Sequence, residues 1–181
     1  MRVIAGTARS MPLVAPKGDG TRPTTDRIKE TLFNTIQAYV PDAVFVDLFA
    51  GSGAVGIEAL SRGAKKAFFI DNAKDALDCI RRNLEFTKLA DRAVVIGRTA
   101  YDSFYEIDEK ADIIFIDPPY ALGVESDIMQ LIRDRGCLKE DGIVIIEADI
   151  GNDLSGIEPL GFKIYKEKLY KTNKHVFFEQ V

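Results

Sequence analysis

The chain has 181 residues, 46% of them hydrophobic, which suits one globular domain with a real core. No apolar stretch is long enough to span a bilayer, and "MRVIAGTARSMPL" has no apolar signal-peptide core, so a cytoplasmic protein without a membrane partner is expected. The net charge of −4 argues against a general nucleic-acid binder, but residues 1–29 and 163–174 each carry +4, which leaves −12 for the rest. Two basic ends around an acidic middle leave a polyanionic partner open, because phosphate contacts need local rather than total positive charge.

In chain order, "RVIAG" and "PLVAP" are expected to pair as a small ribbon. "PTTDRIKETLFNTIQAYV" then reads as a helix opened by Thr24 or Thr25. Its apolar stripe is Ile28, Leu32 and Ile36, widened by Phe33 and Tyr39, and it is expected to dock on the core. Five short, nearly continuous apolar runs follow, at 44–49, 66–71, 93–97, 112–117 and 142–148. Helical stretches at about 54–62, 74–88, 100–107 and 124–135 separate them. Strands buried on both faces and alternating with helices imply a parallel sheet covered on both sides. After Gly161, "FKIYKEKLYK" and "KHVFFEQV" read as a closing antiparallel hairpin. The expected organisation is an N-terminal ribbon-and-helix extension, 1–40, ahead of a main α/β domain, 41–181.

Cys79 and Cys137 fit no metal-ligand spacing and His175 is the sole histidine, so no metal is expected. His175 and Tyr170, near the hairpin turn, read as packing and surface residues rather than catalysts.

Two motifs carry chemistry. "DLFAGSGAVGIEAL" follows the first core strand and opens a helix, with Gly51, Gly53 and Gly56 in G-x-G-x-x-G spacing. Such a turn lets a ligand approach the main chain. Asp71, at the end of the next strand, is placed to accept ribose hydroxyls. The turn lacks the Gly-Lys-Ser/Thr ending of a nucleoside-triphosphate cradle. An adenosine-containing cofactor is therefore expected, with NAD a competitor. Asp47, two residues before the turn, would repel a pyrophosphate and suit an ammonium. That favours S-adenosylmethionine, which has ribose, ammonium and sulfonium but no phosphate. The cofactor candidates along this turn are Asp47, Phe49, Gly51, Ser52, Gly53, Asp71 and Asn72. Asn72 either meets the adenine edge or caps the following helix.

The second motif is Asp117-Pro118-Pro119-Tyr120 at the end of a buried strand. Each proline fixes its own φ, pushes the preceding residue toward extended conformation and lacks an N–H. The tip presents two acceptors, the Asp117 carboxylate and the Pro118 carbonyl. Such a clamp suits an exocyclic amine on a flat base stacked on Tyr120. Asp117, Pro118 and Tyr120 are the catalytic candidates, with Asp117 also near the cofactor. The tetrapeptide alone leaves the acceptor open between guanine N2, adenine N6 and a protein side-chain amide. A nicotinamide oxidoreductase and a non-catalytic RNA-binding assembly factor are the readings from other classes.

At these residues the sequence resembles the class I S-adenosylmethionine-dependent methyltransferases with a D/N-P-P-Y/F tetrapeptide. Within them it is similar to the bacterial 16S ribosomal RNA guanine-N2 methyltransferases. The resemblance runs through "RVIAGTARSMPL", "RPTTDRIKETLFN" (22–34), "VDLFAGSGAVGIEALSRGA" (46–64), "FIDNAKDAL" (69–77) and "IFIDPPY" (114–120). It implies a Rossmann-like, seven-stranded, mostly parallel sheet whose last strand is antiparallel. It also implies methyl transfer to a guanine of 16S rRNA in the small subunit or an assembly intermediate. Residues 22–24 would sit beside the active site. Such enzymes often carry Gly-Asp-Ala after the third strand; here Arg98 and Thr99 stand there, and Thr99, through its Oγ or main chain, and Ala100 are expected to take over the adenine contact. Arg2, Arg9, Arg22, Thr24 and Arg27 are the RNA-contact candidates, and the protein is expected to act as a monomer.

Overall fold

In a computed structural model, residues 1–16, 25–119 and 122–181 are described. The strands are β1 (Val44–Leu48), β2 (Lys66–Asp71), β3 (Ala93–Gly97), β4 (Ala111–Ile116), β5 (Leu138–Asp149), β6 (Phe162–Leu169) and β7 (Asn173–Gln180). The helices are α1 (Asp26–Thr35), α2 (Ala54–Ser61), α3 (Lys74–Thr87), α4 (Ala100–Ser103) and α5 (Glu125–Arg135). The strands form one sheet in the order β3-β2-β1-β4-β5-β7-β6. Strands β1 to β5 pair in parallel, and β7 alone runs against its neighbours.

Every residue of β1 is buried, Asp47 included, which is why that run carries almost no polar residue. One sheet face, with Phe45, Phe69, Phe115, Ile145 and Phe177, packs under α1, α2, α3 and the N-terminal arm. The other, with Val46, Phe68, Ile114, Val144 and Phe178, packs against α4 and α5. Strand order reverses between β1 and β4, the place where open α/β sheets leave a crevice beyond the strand ends.

The N-terminal ribbon is a single antiparallel bridge, Arg2 to Pro12, with Val3 N donating to Met11 O. Thr25 caps α1, its hydroxyl accepting from Ile28 N. Helix α1 ends at Thr35, so Tyr39 falls beyond it and is exposed instead of widening the stripe. Lys29, in contrast, is fully buried; its ammonium meets Glu58 at 3.3 Å and the Arg2 carbonyl at 2.7 Å. Glu58 also accepts from Ile4 N, Ala5 N and Arg62 Nε. One buried carboxylate thus ties the arm to α1 and α2. Gly6 completes the fit, since a Cβ there would lie 1.8 Å from the Ser61 carbonyl oxygen.

Two other expectations change. Helix α4 stops at Ser103, well short of residue 107. Strand β5 starts at Leu138, where Leu138 pairs with Ala111 before the register shifts. No helix among the described residues is long and apolar enough to cross a membrane.

Candidate active site

The turn after β1 is held in a conformation that costs its non-glycine member. Phe49 has φ +67°, in the left-handed region, with Gly51 at +55° and Gly53 at +76°. A non-glycine residue there stores of order 1–3 kcal/mol, which the surrounding bonds must offset. Ala50 N donates to Ile70 O at 2.8 Å and Gly53 N to Ala50 O at 2.7 Å. The glycines serve different ends. A Cβ on Gly56 would come within 2.4 Å of the Phe69 ring, so Gly56 lets α2 lie close on β2. A Cβ on Gly51 would meet nothing within 4 Å, so its main chain faces open space that a ligand can enter.

Asp71 fastens this turn from the neighbouring strand. Its Oδ2 accepts from Gly51 N and its Oδ1 from Ala73 N, both at 2.9 Å. Each carboxylate oxygen keeps a further lone pair for a hydroxyl donor. Ala73, not Asn72, is the N-cap of α3, so the capping role for Asn72 is overturned and its side chain is left exposed. Asp71 pairs in register with Gly97, which brings Thr99 and Ala100 to the same sheet end. Thr99 Oγ1 is engaged locally: it caps α4 by accepting from Asp102 N and donates to Asp102 Oδ2 at 2.8 Å. Arg98 turns to Glu106 at 2.8 Å. The Ser52 carbonyl accepts from Asn83 Nδ2, whose amide also grips both backbone groups of Val14. Ser52 Oγ meets the Met1 thioether at 3.6 Å. The arm therefore meets the glycine turn directly at Met1 and, through Asn83, from Val14.

Asp47 is buried, with its Oδ2 accepting from Gly56 N at 2.9 Å. Burial pushes its carboxyl up to about 7; the Asp71 charge adds to this and the Gly56 hydrogen bond opposes it. Asp117, half-buried at the end of β4, is also pushed well above the ordinary carboxylate range, first by burial, then by the charges of Glu147 and Asp47. Pro118 beside it is buried and Pro119 exposed. Asp47, Asp71, Asp117 and Glu147 thus line four adjacent strand ends, β2-β1-β4-β5, and neither Asp47 nor Asp117 has a cationic partner among the described residues. These acids lie along the sheet; no three described His, Cys, Asp or Glu side chains are grouped to hold a metal. A cationic ligand without phosphates suits such a row, and perturbed acids of this kind cluster at functional sites.

Glu147 was not a sequence candidate. Its signal is legible in retrospect: "VFVD", "FFID", "IFID" and "VIIE" are four apolar runs that each end in an acid. Nor was His175 a surface residue. It is fully buried, with Nε2 at 2.9 Å from Glu147 and Nδ1 at 3.1 Å from the Tyr170 hydroxyl. Of the RNA candidates, Arg2, Arg9 and Arg27 are exposed on the arm and α1, and Arg2 pairs with Asp26 at 3.2 Å. Lys163, Lys166 and Lys171 are exposed on the C-terminal hairpin. Arg22, Thr24 and Tyr120 lie outside the described residues.

The sequence pattern of the family described as "Conserved hypothetical protein 95" matches residues 1–179. Ribosomal RNA small subunit methyltransferase D of Escherichia coli K12 is 35% identical over 169 residues, covering 93% of this chain and 84% of that one. The protein of the same name from Haemophilus influenzae is 34% identical over 171 residues, covering 93% and 88%. A solved structure described as "Putative methyltransferase yhhF from Escherichia coli" superposes with a TM-score of 0.88 at 33% identity, covering 99% of this chain and 97% of that one.

Proposed function

The chain belongs to the family described as conserved hypothetical protein 95 and to that of the ribosomal RNA small subunit methyltransferase D proteins, and from that premise we propose how its own residues work. It transfers a methyl group from S-adenosylmethionine to the exocyclic N2 amine of a guanine in 16S rRNA, within the small subunit or an assembly intermediate. The observation that carries this reading is the pair of acids without a cationic partner among the described residues, Asp47 and Asp117, on either side of the strand-order reversal. When bound, S-adenosylmethionine supplies an electrophilic methyl on a cationic sulfur.

Gly51 and Gly53, with Phe49 and Ser52 in the same turn, admit the cofactor to the main chain. Asp71 holds its ribose hydroxyls, and Asp47 faces its ammonium. Asn72, Thr99 and Ala100 border the adenine. Because Thr99 Oγ1 already caps α4, its main chain or that of Ala100 is the better adenine contact. NAD fits less well, since its pyrophosphate would meet a row of acids.

Asp117 and the Pro118 carbonyl accept the two N–H bonds of the guanine amine and hold its lone pair toward the methyl. As the nitrogen turns cationic these acceptors gain strength, so they stabilise the transition state more than the bound base. Asp117 then takes the proton that the methylated amine releases, a role its raised affinity for protons suits. Tyr120 stacks the base. Residues 1–40 act as a fixed arm on the 41–181 domain, with Arg2, Arg9, Arg22, Thr24 and Arg27 as the RNA contacts.

The test is turnover. The protein is incubated with labelled S-adenosylmethionine and small subunits, or their assembly intermediates, from cells lacking the modification. The digested RNA is then mapped by mass spectrometry. The expected product is one N2-methylguanine; a label on adenine N6, or none on RNA while the protein binds it, would overturn the reading.

A further inference from the structure

Behind the proposed amine clamp lies a buried polar network that the reaction as written does not use. Ile116 of β4 pairs with Ile146 of β5, so the next residues, Asp117 and Glu147, emerge side by side from adjacent parallel strands. Glu147 is buried and both of its oxygens are engaged. Oε1 accepts from Asn173 Nδ2 at 2.7 Å and Oε2 lies 2.9 Å from His175 Nε2. Both partners sit on β7, where His175 pairs with Glu147 in register. The Tyr170 hydroxyl, whose proton burial holds up to about 12, lies 3.1 Å from His175 Nδ1, and the tautomer in which that nitrogen accepts from Tyr170 turns Nε2–H toward Glu147. One imidazole tautomer satisfies the whole chain.

The network is also fixed in place. The His175 ring stands edge-on to Phe115 at 6.0 Å, to Phe177 at 6.4 Å and to Tyr170 at 5.1 Å. Phe115 lies two residues before Asp117, on the same face of β4. Burying a carboxylate is costly, and the donors from Asn173 and His175 reduce that cost. The arrangement stations the Glu147 carboxylate next to Asp117, where its charge raises that neighbour's affinity for a proton.

We propose that Glu147, held by His175 and Asn173, is a positioning residue for methyl transfer: its charge sharpens Asp117 as the acceptor of the amine's developing positive charge and proton. This rests on the amine-methyltransferase reading above. Among the described residues, the titratable and charged groups facing Asp117 from the packed elements are Glu147 on β5 and Asp47 on β1. Asp71 on β2 stands behind Asp47, and His175 on β7 and Tyr170 in the β6–β7 turn stand behind Glu147. Among the described residues no lysine or arginine pairs with Asp117 or Glu147. The repulsion is in place for the charged form of Asp117, so removing it makes Asp117 easier to ionise and weaker as an acceptor.

The experiment measures single-turnover methylation of unmodified small subunits against pH, with affinity for S-adenosylhomocysteine measured in parallel. For Glu147→Gln, which keeps the size and an acceptor oxygen, the acid limb of the rate profile should move to lower pH by about one unit. The plateau rate should fall about tenfold. Affinity for S-adenosylhomocysteine should stay within about twofold, and Glu147→Asp should recover most of the rate. An unchanged acid limb, or a loss confined to KM or to thermal stability, would overturn the proposal. Carboxyl NMR titration of the unsubstituted protein decides the matter even where Glu147→Gln does not fold. Asp117 should take up its proton well above the ordinary carboxylate range; if it titrates as an ordinary carboxyl, the proposal fails. Absence of methylation by the unsubstituted enzyme would instead defeat the underlying reading.

Discussion

The chain buries carboxylates in two places and treats them in opposite ways. Beneath the N-terminal arm, Glu58 is surrounded by donors: Lys29, Arg62 and the Ile4 and Ala5 amides. At the strand ends, Asp47 has one backbone donor, and Asp117 is pressed by the charges of Glu147 and Asp47. A buried charge with a full set of partners holds pieces together; one left without a counter-ion waits for a cation from outside. The first region ties the arm to α1 and α2, and the second gathers acids that hold protons unusually tightly at the strand ends where the proposed cofactor and amine would meet. Burial drives the Lys29 ammonium down as well, and Glu58 opposes that shift, which is how a buried ion pair behaves when its members depend on one another.

The sharpest way to break this contrast is to delete one acid from each region. Asp117→Ala should lower single-turnover methyl transfer by about a hundred- to a thousandfold. Affinity for S-adenosylhomocysteine and thermal stability should hardly change; near-normal turnover would refute the amine clamp. Glu58→Ala should do the reverse. Leaving Lys29 buried without its carboxylate, and two amides without an acceptor, should cost about 3–5 kcal/mol in urea unfolding. Turnover by the fraction still folded should be nearly unaffected below the unfolding transition. Asp71→Ala should weaken S-adenosylhomocysteine binding about tenfold by calorimetry, since it removes a charged acceptor from both the turn and the ribose. The rate at saturating cofactor should stay close to normal.

A further effect, spread over several pH units, is in the pH dependence of stability. The folded chain holds a proton on Asp47 up to about 7, against an ordinary value of 3.8. Between those values the folded state binds more protons than the unfolded one, so this group's contribution is fully present at low pH and is lost as pH rises through about 7. The slope it adds is at most about 1.4 kcal/mol per pH unit. Asp47→Asn should make that decline shallower in thermal melts from acid to neutral pH. A melt series with the same slope in both proteins would show that folding leaves the proton affinity of Asp47 unchanged.

Much of the strand-end geometry was legible because its signals are local. Asp47, the glycines, Asp71 and Asp117 each follow an apolar run whose strand character the residues themselves declare. Strand bounds matched within a residue or two wherever the run was continuous, as at 66–71 and 93–97. They failed at β5, where Lys139, Glu140 and Asp141 extend the strand through exposed positions that look like a loop. Glu58 sits in "VGIEAL" as any helix acid would, and Lys29 counts as one more basic residue of a positive segment. Their partners lie far along the chain, 54 residues from Ile4 to Glu58 and 27 from Arg2 to Lys29. The two β7 residues that hold Glu147 come 26 and 28 positions after it, and only the antiparallel return of β7 brings them alongside.

The sequence alone determined the parallel α/β sheet, the glycine turn and the acid–proline tip, because hydrophobic period and backbone restriction act over a few residues. Only the tertiary structure decided which charges are neutralised and which are left exposed to one another. That depends on desolvation and on distances between strands, and both are set by the sheet order rather than by any one stretch of chain.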